Sequence, residues 1–510
     1  MNRRTGLRWA ALGLGLLAAC QSSTSVSGKV SGAVGVEISL TGPTGGTSVT
    51  GRDGTFSFTG LPSGTYSLTP SLSGFSFEPA SRTIGVDGSP VNGLDFTASG
   101  QSGVLDTVFG DGGTEVVEVA GAVGNGTAAL ALQPDGRMLL VGTTWVQSTP
   151  LRSTLYVHRL LPDGRTDPAF GANGGAAAGD GARFCSGTAV AVQTDGKVLA
   201  AGGCNSNSVP AGGQGALLLV RFEVDGGLDD RFGAGGIVLT PIGLGAAVAK
   251  AVALLPDGSV VVSGYAEGAG LLGSVAVARY DSQGKLDPSF GDAGTVVTLV
   301  GTSCTPESMA LQNDGSVVVA GGAFFPDAGQ RMFVARYTSR GMLDPEFGIA
   351  GISIAPTFPI AVYPSNLDTA YAVAVQGDGK PVAAGAGSLG GLSTTVALAR
   401  WTDEGSMDPT FGGAPPAGPG TVSAYFGGLA HAIALPPDGK ILTGGTVQGR
   451  FLLMRWNTDG TPDPSFGNGS PVLTMITGAD QIFTLAVQPD GKIVAAGESS
   501  GRFSVARYWP

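Results

Sequence analysis

Residues 485–508 read LAVQPDGKIVAAGESSGRFSVARY. Hydrophobic residues alternate on either side of Pro489-Asp490-Gly491, where the proline presets φ and the glycine accepts a positive φ, so the segment predicts a β-hairpin. Residues 503–508 alternate in the same way and predict a further strand. The stretch therefore predicts three consecutive antiparallel strands joined by turns.

The same unit recurs seven times from residue 105 to the end, at a period of about 58 residues. A short β-branched run after each Phe-Gly pair, such as residues 295–298, predicts a fourth strand per copy. Four strands at this period favour a propeller blade, whereas the alternative, an open β-solenoid, usually has shorter coils and polar capping repeats. The markers of the seven copies are the turn glycines Gly136, Gly196, Gly258, Gly315, Gly379, Gly439 and Gly491 and the phenylalanines Phe109, Phe170, Phe232, Phe290, Phe347, Phe411 and Phe466.

The composition fits short strands joined by glycine-rich turns. The 510 residues include 87 Gly and 31 Pro, yet 42% are hydrophobic, which argues against disorder, and only 13% are charged. The net charge of −11 becomes −14 if Arg3, Arg4 and Arg8 leave with a leader, so no basic nucleic-acid footprint is present. Two histidines, His158 and His431, offer little material for a histidine-based metal or catalytic centre.

Residues 1–19 predict a secretory leader, because a basic start precedes an apolar run too short to span a bilayer. The run ends in Leu17-Ala18-Ala19-Cys20, and residues 20–25 form a polar tether. This resembles the bacterial lipoprotein lipobox, and the resemblance implies a lipid anchor on Cys20 as the sole membrane attachment. An ordinary signal peptide with a chance cysteine is the alternative. Because Gln21 is not Asp, the resemblance favours the outer membrane of a two-membrane bacterium, on its periplasmic or surface face.

Residues 26–98 predict a small β-sandwich. An Asp-Gly turn precedes a strand with Phe56 and Phe58 on one face, and a second turn leads to a strand with Tyr66 and Leu68 inward. The stretch resembles the carboxypeptidase regulatory-like, prealbumin-type β-sandwich, a module that usually serves as a spacer in surface proteins.

The seven copies resemble the delta-60 repeat of bacterial secreted and surface proteins, since all carry its markers. The resemblance implies a β-propeller-like fold and brings no catalytic residues. The predicted fold class is therefore all-β. It comprises a small N-terminal β-sandwich, a linker at residues 99–104, and a seven-bladed β-propeller of four-stranded blades over residues 105–510.

One arginine and one aspartate recur in every copy. Alternation puts Arg507 on the face of Phe503 and Val505, so it should be buried between blades and needs a carboxylate partner. We therefore predict structural ion pairs rather than the alternative, a ring of ligand-binding charges. The residues concerned are Arg159, Arg221, Arg279, Arg336, Arg400, Arg455 and Arg507, with Asp106, Asp167, Asp229, Asp287, Asp344, Asp408 and Asp463.

The cysteines occupy fixed positions around the hairpin turns. Cys185 lies eleven residues before Gly196 and Cys204 eight after, so the two should face each other within one residue of register. An envelope location permits a disulfide there. Cys304 occupies the same repeat position as Cys185, but its cross-strand counterpart is Ala323, which predicts a buried unpaired thiol.

No catalytic constellation, metal site or cofactor is predicted. Asp-box, tryptophan-docking and GxSxG patterns are missing, and no pair of acids stands out from the turn aspartates. The run from Asp459 to Asp463 resembles a calcium loop faintly, but such a loop needs more carboxylates at alternating positions. Turn chemistry is the preferred explanation, with weak Ca²⁺ binding as the alternative.

The loops fall into two classes. Regular Pro-Asp-Gly and Asp-x-x-Phe-Gly turns emerge on one propeller face, and most irregular segments on the other, with residues 413–420 as the exception. Because variable loops on a rigid scaffold usually carry binding, their aromatic residues are the predicted partner site, unless they only fold back over the blade ends. The segments span residues 143–153, 203–216, 323–331 and 355–369, and the aromatic residues are Trp145, Phe324, Phe325, Phe358 and Tyr363.

Together these features predict a monomeric, lipid-anchored envelope protein that binds a protein or a glycan through the irregular face. A polysaccharide hydrolase or lyase is one alternative, and a structural scaffold for envelope assembly is the other.

Overall fold

The structure is a computed structural model, and it divides into two compact units between Ser99 and Gly100. Apart from one short 3-10 turn at Gly467–Gly469, the part of the chain that it describes is built from strands and loops, and no helix in that part could cross a membrane. The lipobox with Cys20 lies outside the described residues. These are 24–119, 122–146, 152–179, 183–206, 215–268, 271–356, 368–388, 394–412 and 418–510.

The first unit is a β-sandwich of two four-stranded sheets, ordered β4-β1-β8-β6 and β3-β2-β5-β7. Phe56 and Phe58 alternate with exposed residues along β4, and Tyr66 and Leu68 do the same along β5, so that all four side chains enter one core. Its strands are β1 (Thr24–Ser31), β2 (Glu37–Thr41), β3 (Gly46–Val49), β4 (Thr55–Leu61), β5 (Gly64–Ser71), β6 (Phe75–Glu78), β7 (Arg82–Val86) and β8 (Phe96–Gly100).

The second unit is a β-propeller, which confirms the predicted fold class. Its described strands form seven four-stranded antiparallel sheets, named blades I to VII in chain order. Blade I is β10 (Ala122–Leu132), β11 (Met138–Val146), β12 (Arg152–Leu160) and β13 (Gly175–Ala178); blade II is β14 (Arg183–Val192), β15 (Val198–Ser206), β16 (Ala216–Phe222) and β17 (Ile237–Pro241); blade III is β18 (Ala247–Leu254), β19 (Val260–Gly268), β20 (Leu271–Tyr280) and β21 (Thr295–Thr298); blade IV is β22 (Ser303–Leu311), β23 (Val317–Phe325), β24 (Gly329–Tyr337) and β25 (Ile352–Ile354); blade V is β26 (Thr369–Val375), β27 (Pro381–Ser388), β28 (Thr394–Arg400) and β29 (Thr421–Gly427); blade VI is β30 (Leu429–Ala434), β31 (Ile441–Val447), β32 (Arg450–Trp456) and β33 (Val472–Thr474); blade VII is β34 (Asp480–Val487), β35 (Ile493–Ser499), β36 (Arg502–Tyr508) and, from the start of the unit, β9 (Thr114–Val117).

The first strand of each blade lines the propeller axis. Each of these strands packs against the first strand of the next blade, and β34 packs against β10, so the ring closes. The Pro-Asp-Gly turn then leads outward to the second strand of the blade.

The blades are shifted by one strand from the sequence copies. The sequence places the short β-branched strand first in its copy, but the structure makes it the outermost strand of the blade before, as β21 pairs with β20. The reason is that the Asp-x-x-Phe-Gly turn is tight and keeps the strands on its two sides adjacent. β9, which follows the first of these turns, completes blade VII by pairing with β36 although no turn connects them, and so joins the two ends of the unit.

Six of the seven recurring arginines donate a hydrogen bond to a backbone carbonyl of the next blade. Arg400 lies between Asp408, whose Oδ2 is 2.9 Å from its Nε, and the backbone carbonyl of Thr458 in blade VI. Its guanidinium also stacks on Phe411, at 4.5 Å from the ring centroid. The equivalent pairs, with Nε–Oδ2 distances of 2.6–3.2 Å, are Arg159–Asp167, Arg221–Asp229, Arg279–Asp287, Arg336–Asp344, Arg455–Asp463 and Arg507–Asp106.

The cysteines lie on the inner hairpins of blades II and IV. Cys185 and Cys204 are register partners joined by a disulfide. Cys304 pairs in register with Ala323, remains a free thiol and is buried, and burial raises its pKa.

Candidate ligand-binding site

Each innermost strand bulges at one residue. In blade II, Gly187 pairs with Gly202 and Ala189 with Ala201, so Thr188 between them is left out of the ladder. The same shift occurs in every blade and gives each one a half-buried residue on the axis. These seven residues, which we call the axial ring, are Ala128, Thr188, Lys250, Glu307, Tyr371, His431 and Phe483.

A glycine opposite each bulge makes room for it. In blade IV a Cβ on Gly321 would overlap the carbonyl group of Thr305, next to the bulged Glu307. Any other residue there would push the two strands apart and remove the close approach that the bulge needs. The equivalent glycines are Gly142, Gly202, Gly264, Gly385, Gly445 and Gly497.

The axial ring lines a cavity of about 240 Å³. Its walls differ from side to side, with small residues on blades I and II, charges on III and IV, and aromatic rings on V to VII. Aliphatic residues two positions further along the strands complete the lining, and these are Leu130, Val190, Val252, Val373, Ile433 and Leu485.

The charged side of the ring is an ion pair. Lys250 Nζ lies 2.8 Å from Glu307 Oε2, and the two side chains keep 29% and 23% of their exposure. The pair is therefore reachable from the cavity and is not sealed in the core.

The aromatic side is a row of three rings that are tilted against one another. The His431 ring centroid lies 4.8 Å from that of Tyr371 and 5.0 Å from that of Phe483. Burial lowers the pKa of His431 to about 4, so its imidazole is neutral at neutral pH. Burial and the charge of Glu307 raise the pKa of Tyr371, which keeps its hydroxyl protonated.

A second cavity of about 370 Å³ lies between blades III and IV at the irregular face. We call it the inter-blade pocket. It shares Lys250 and Glu307 with the axial ring, so the two cavities adjoin at this ion pair. Its other lining residues include Tyr265, Glu267, Phe324 and Gln330.

Glycine also shapes this pocket. A Cβ on Gly322 would meet the amide nitrogen of Gln330 at 2.6 Å, and that nitrogen donates a hydrogen bond to Thr369 Oγ1 of blade V. The small residue therefore lets the Gln330 amide lie between two blades at the pocket wall.

The predicted aromatic residues do not form one patch. Phe324 is 46% exposed and lines the inter-blade pocket, whereas Trp145 lies on blade I and approaches Phe184 at 6.4 Å between centroids. Phe325 is half-buried against the core of blades III and IV. Phe358 and Tyr363 lie outside the described residues.

The turn aspartates are engaged by their own turns and by cations. Asp459 accepts hydrogen bonds from Thr461, and Asp463 accepts them from Ser465, Lys440 and Arg455. The described residues contain no group of three or more His, Cys, Asp or Glu side chains that could hold a metal ion.

Sequence reasoning missed the axial ring, although a signal was present. Each ring residue lies eight positions before the turn glycine, and at this position the seven copies carry seven different residue types. The flanking positions are mostly alanine, as in Ala249-Lys250-Ala251 and Ala430-His431-Ala432. Diversity at one position inside an otherwise regular strand was the available clue.

The geometry defines a β-sandwich followed by a β-propeller with an axial site. Residues 20–93 match the family model described as BOS complex subunit NOMO1-like, second beta sandwich domain. Six stretches of the propeller match the one described as Domain of unknown function (DUF5122) beta-propeller, and these are residues 133–170, 193–232, 255–290, 312–347, 437–466 and 488–510. The resemblances to delta-60 repeats and to carboxypeptidase regulatory-like sandwiches stay predictions.

Among solved structures, the chain is similar to polysaccharide lyase Uly1, with 12% identity over 78% of this chain and 92% of that chain and a TM-score of 0.43. A protein of unknown function from Dyadobacter fermentans DSM 18053 shows 13% identity, 77% and 97% coverage and a TM-score of 0.39. YCF48 bound to D1 peptide shows 11% identity, 80% and 98% coverage and a TM-score of 0.38. No curated protein matches the chain.

Proposed function

We propose that the protein binds a glycan in the inter-blade pocket and the adjoining axial cavity. The observation that carries the proposal is the composition of the pocket wall, where the exposed ring of Phe324 stands beside carboxylates, an amide and a phenol. Sugars present apolar C–H faces and hydroxyl edges, so an aromatic surface next to hydrogen-bonding groups of both kinds suits them.

A concave site favours a glycan over a protein partner. The pocket has the size of a small-ligand site, and its wall combines polar groups with an aromatic ring. The exposed aromatic residues among the described part of the irregular face, Trp145 and Phe324, stand on blades I and IV, too scattered for the centre of a protein interface.

The proposed location is the cell envelope. A lipid anchor on Cys20 would hold the chain at the membrane, with the β-sandwich as a spacer that precedes the propeller in the chain. Lipid labelling of the parent, but not of a Cys20→Ala variant, is the expected result, and equal labelling of both would contradict the anchor.

The binding proposal is tested with a glycan array and the soluble chain from Ser22 to Pro510. Phe324→Ala should abolish binding of the retained glycan, while Trp145→Ala, which removes another exposed ring on the same face, should leave it unchanged. Thermal melts of both variants would show that the fold is intact. Loss with both variants, or retention with both, would place binding elsewhere.

The two alternative functions are outcomes of the same experiment. Cleavage of a retained glycan, seen as shorter products by mass spectrometry, would make the protein a hydrolase or lyase. Stable protein partners in a membrane pull-down, without any retained glycan, would make it a scaffold.

A further inference from the structure

The charges around the shared site do not balance. The inter-blade pocket carries one ammonium group, on Lys250, and two carboxylates, on Glu267 and Glu307. Lys250 pairs with Glu307, which leaves the exposed carboxylate of Glu267 at the rim as the excess charge.

Burial and nearby carboxylates raise the pKa of a tyrosine in each of the two cavities. Burial raises the pKa of Tyr265, and the charges of Glu267 and Glu307 raise it further. The pKa of Tyr371, in the axial ring, is raised by burial and then by Glu307. Carboxylates therefore lie near tyrosines both in the pocket and on the axis, and the unpaired one, Glu267, favours a cationic group over an anionic one.

The walls of the site also suit a cation. Tyr265 and Phe324 line the pocket and Tyr371 lines the axial cavity, and aromatic rings attract an ammonium group through the negative charge above the ring. His431 adds no competing charge, because burial keeps its imidazole neutral at neutral pH. Lys250 Nζ lies 2.8 Å from Glu307, so this carboxylate already accepts an ammonium group from within the protein.

We propose that the site selects amino sugars, holding the free ammonium group of a glycan between Glu267, Glu307 and the tyrosines that flank them. This inference rests on the proposed glycan-binding function and specifies its ligand class. The same carboxylates would repel acidic and sulfated glycans, so the site should not bind them.

A pair of oligosaccharides with the same sugar backbone, one with free amino groups and one with acetylated amino groups, tests the inference. The probes are a glucosamine hexamer and its fully N-acetylated form, titrated by calorimetry into the chain from Ser22 to Pro510 at low salt. We expect the glucosamine hexamer to bind at least about tenfold more tightly, and the preference to shrink at high salt because exposed charges are screened.

Variants assign the preference to residues. Glu267→Gln should remove most of the tenfold preference and leave affinity for the acetylated form unchanged. Glu498→Gln, which removes the same charge on blade VII at the same face, is the matched control and should leave the preference intact. Lys250→Met should strengthen binding of the glucosamine hexamer by several-fold, because Glu307 loses its internal partner, a gain that a merely structural lysine would not produce.

The possible outcomes separate the two proposals. Equal binding of both hexamers overturns the amino-sugar inference but upholds glycan binding. Binding of neither hexamer overturns the inference, while the glycan array judges the broader proposal by itself. A hexalysine peptide that binds as tightly as the glucosamine hexamer would show that the site recognises cationic peptides, which also overturns the inference.

Discussion

Ring closure makes a quantitative prediction for Arg507. This arginine pairs with Asp106, at the other end of the propeller, with 2.8 Å between Nε and Oδ2. It also donates a hydrogen bond of 2.6 Å to the carbonyl oxygen of Pro162 in blade I and stacks on Phe109 at 4.6 Å. Lys492 Nζ lies 2.8 Å from the same carboxylate. Because the ring is closed, Arg507 therefore has the same kinds of contact as an arginine inside the chain: an ion pair, a hydrogen bond to the next blade and a contact with an aromatic ring.

Arg400 is the matched internal residue. It pairs with Asp408 at 2.9 Å, stacks on Phe411 at 4.5 Å and shares its carboxylate with Lys380 at 3.0 Å. Both guanidinium groups are buried, and removing one partner of a buried ion pair costs about 3–5 kcal/mol. Each aspartate keeps its lysine partner, but Arg507→Ala and Arg400→Ala also remove a hydrogen bond to the next blade and a contact with an aromatic ring. Each substitution should therefore lower the free energy of unfolding by about 4 kcal/mol.

The assay is thermal unfolding by circular dichroism or calorimetry. The unfolding entropy of a unit of this size is roughly 0.9 kcal/mol per kelvin, so a loss of about 4 kcal/mol lowers Tm by about 5 °C. In an open solenoid Arg507 would be terminal, without the carbonyl partner in blade I. A normal Tm for Arg507→Ala beside a Tm about 5 °C lower for Arg400→Ala would refute ring closure.

Three further predictions concern acid stability, the disulfide and the bulge. Burial alone would raise the pKa of Asp229, but hydrogen bonds from lysine, backbone and arginine lower it from 3.8 to about 2. The ionised carboxylate therefore stabilises the fold by about 2 kcal/mol above pH 4, and this contribution is lost between about pH 4 and 2. In urea unfolding, the free energy of unfolding of an Asp229→Asn variant should fall by about 2 kcal/mol less than that of the parent over this range. Replacing Cys185 and Cys204 by alanine removes a disulfide that links positions 19 residues apart, and it should lower the free energy of unfolding by about 3 kcal/mol. A reducing agent should lower the Tm of the parent and leave the Tm of this variant unchanged. A parent whose Tm does not respond to the reducing agent would contradict the disulfide. Gly321→Ala should displace the bulge that carries Glu307 and weaken glycan binding together with stability, and a variant with normal binding would show that the bulge does not position the site.

Features set within one repeat could be predicted from the sequence. The register of a hairpin follows from its turn, so counting from Gly196 placed Cys185 opposite Cys204, as the structure does. Alternation along residues 503–508 likewise placed Arg507 on a buried face, and the aspartate of the next turn is within reach of the other six arginines, whereas Arg507 pairs with Asp106 at the start of the unit. These inferences need only the strand period and the turn position.

Features set between repeats could not be predicted in the same way. The sequence order shows that β9 begins a copy, but not that it pairs with β36, because hydrogen bonding across the ring joins residues at opposite ends of the chain. The exposure of Phe324 and the burial of Phe325 were equally hidden, since both lie in one irregular segment and packing between blades decides which ring is covered.

The bulge explains why diversity collects on the axis. A residue in the regular ladder packs against a neighbouring blade, so changing its size costs stability in a close-packed interior. The bulged residue leaves the ladder and faces the cavity, where Ala128 and Phe483 can occupy equivalent positions without disturbing the blade packing. Packing keeps the seven repeats similar at their other positions, but it does not restrict the residue at the bulge. A site assembled from one such residue per blade can change its ligand by substitution while the arginine pairs and the glycines that make the propeller remain as they are.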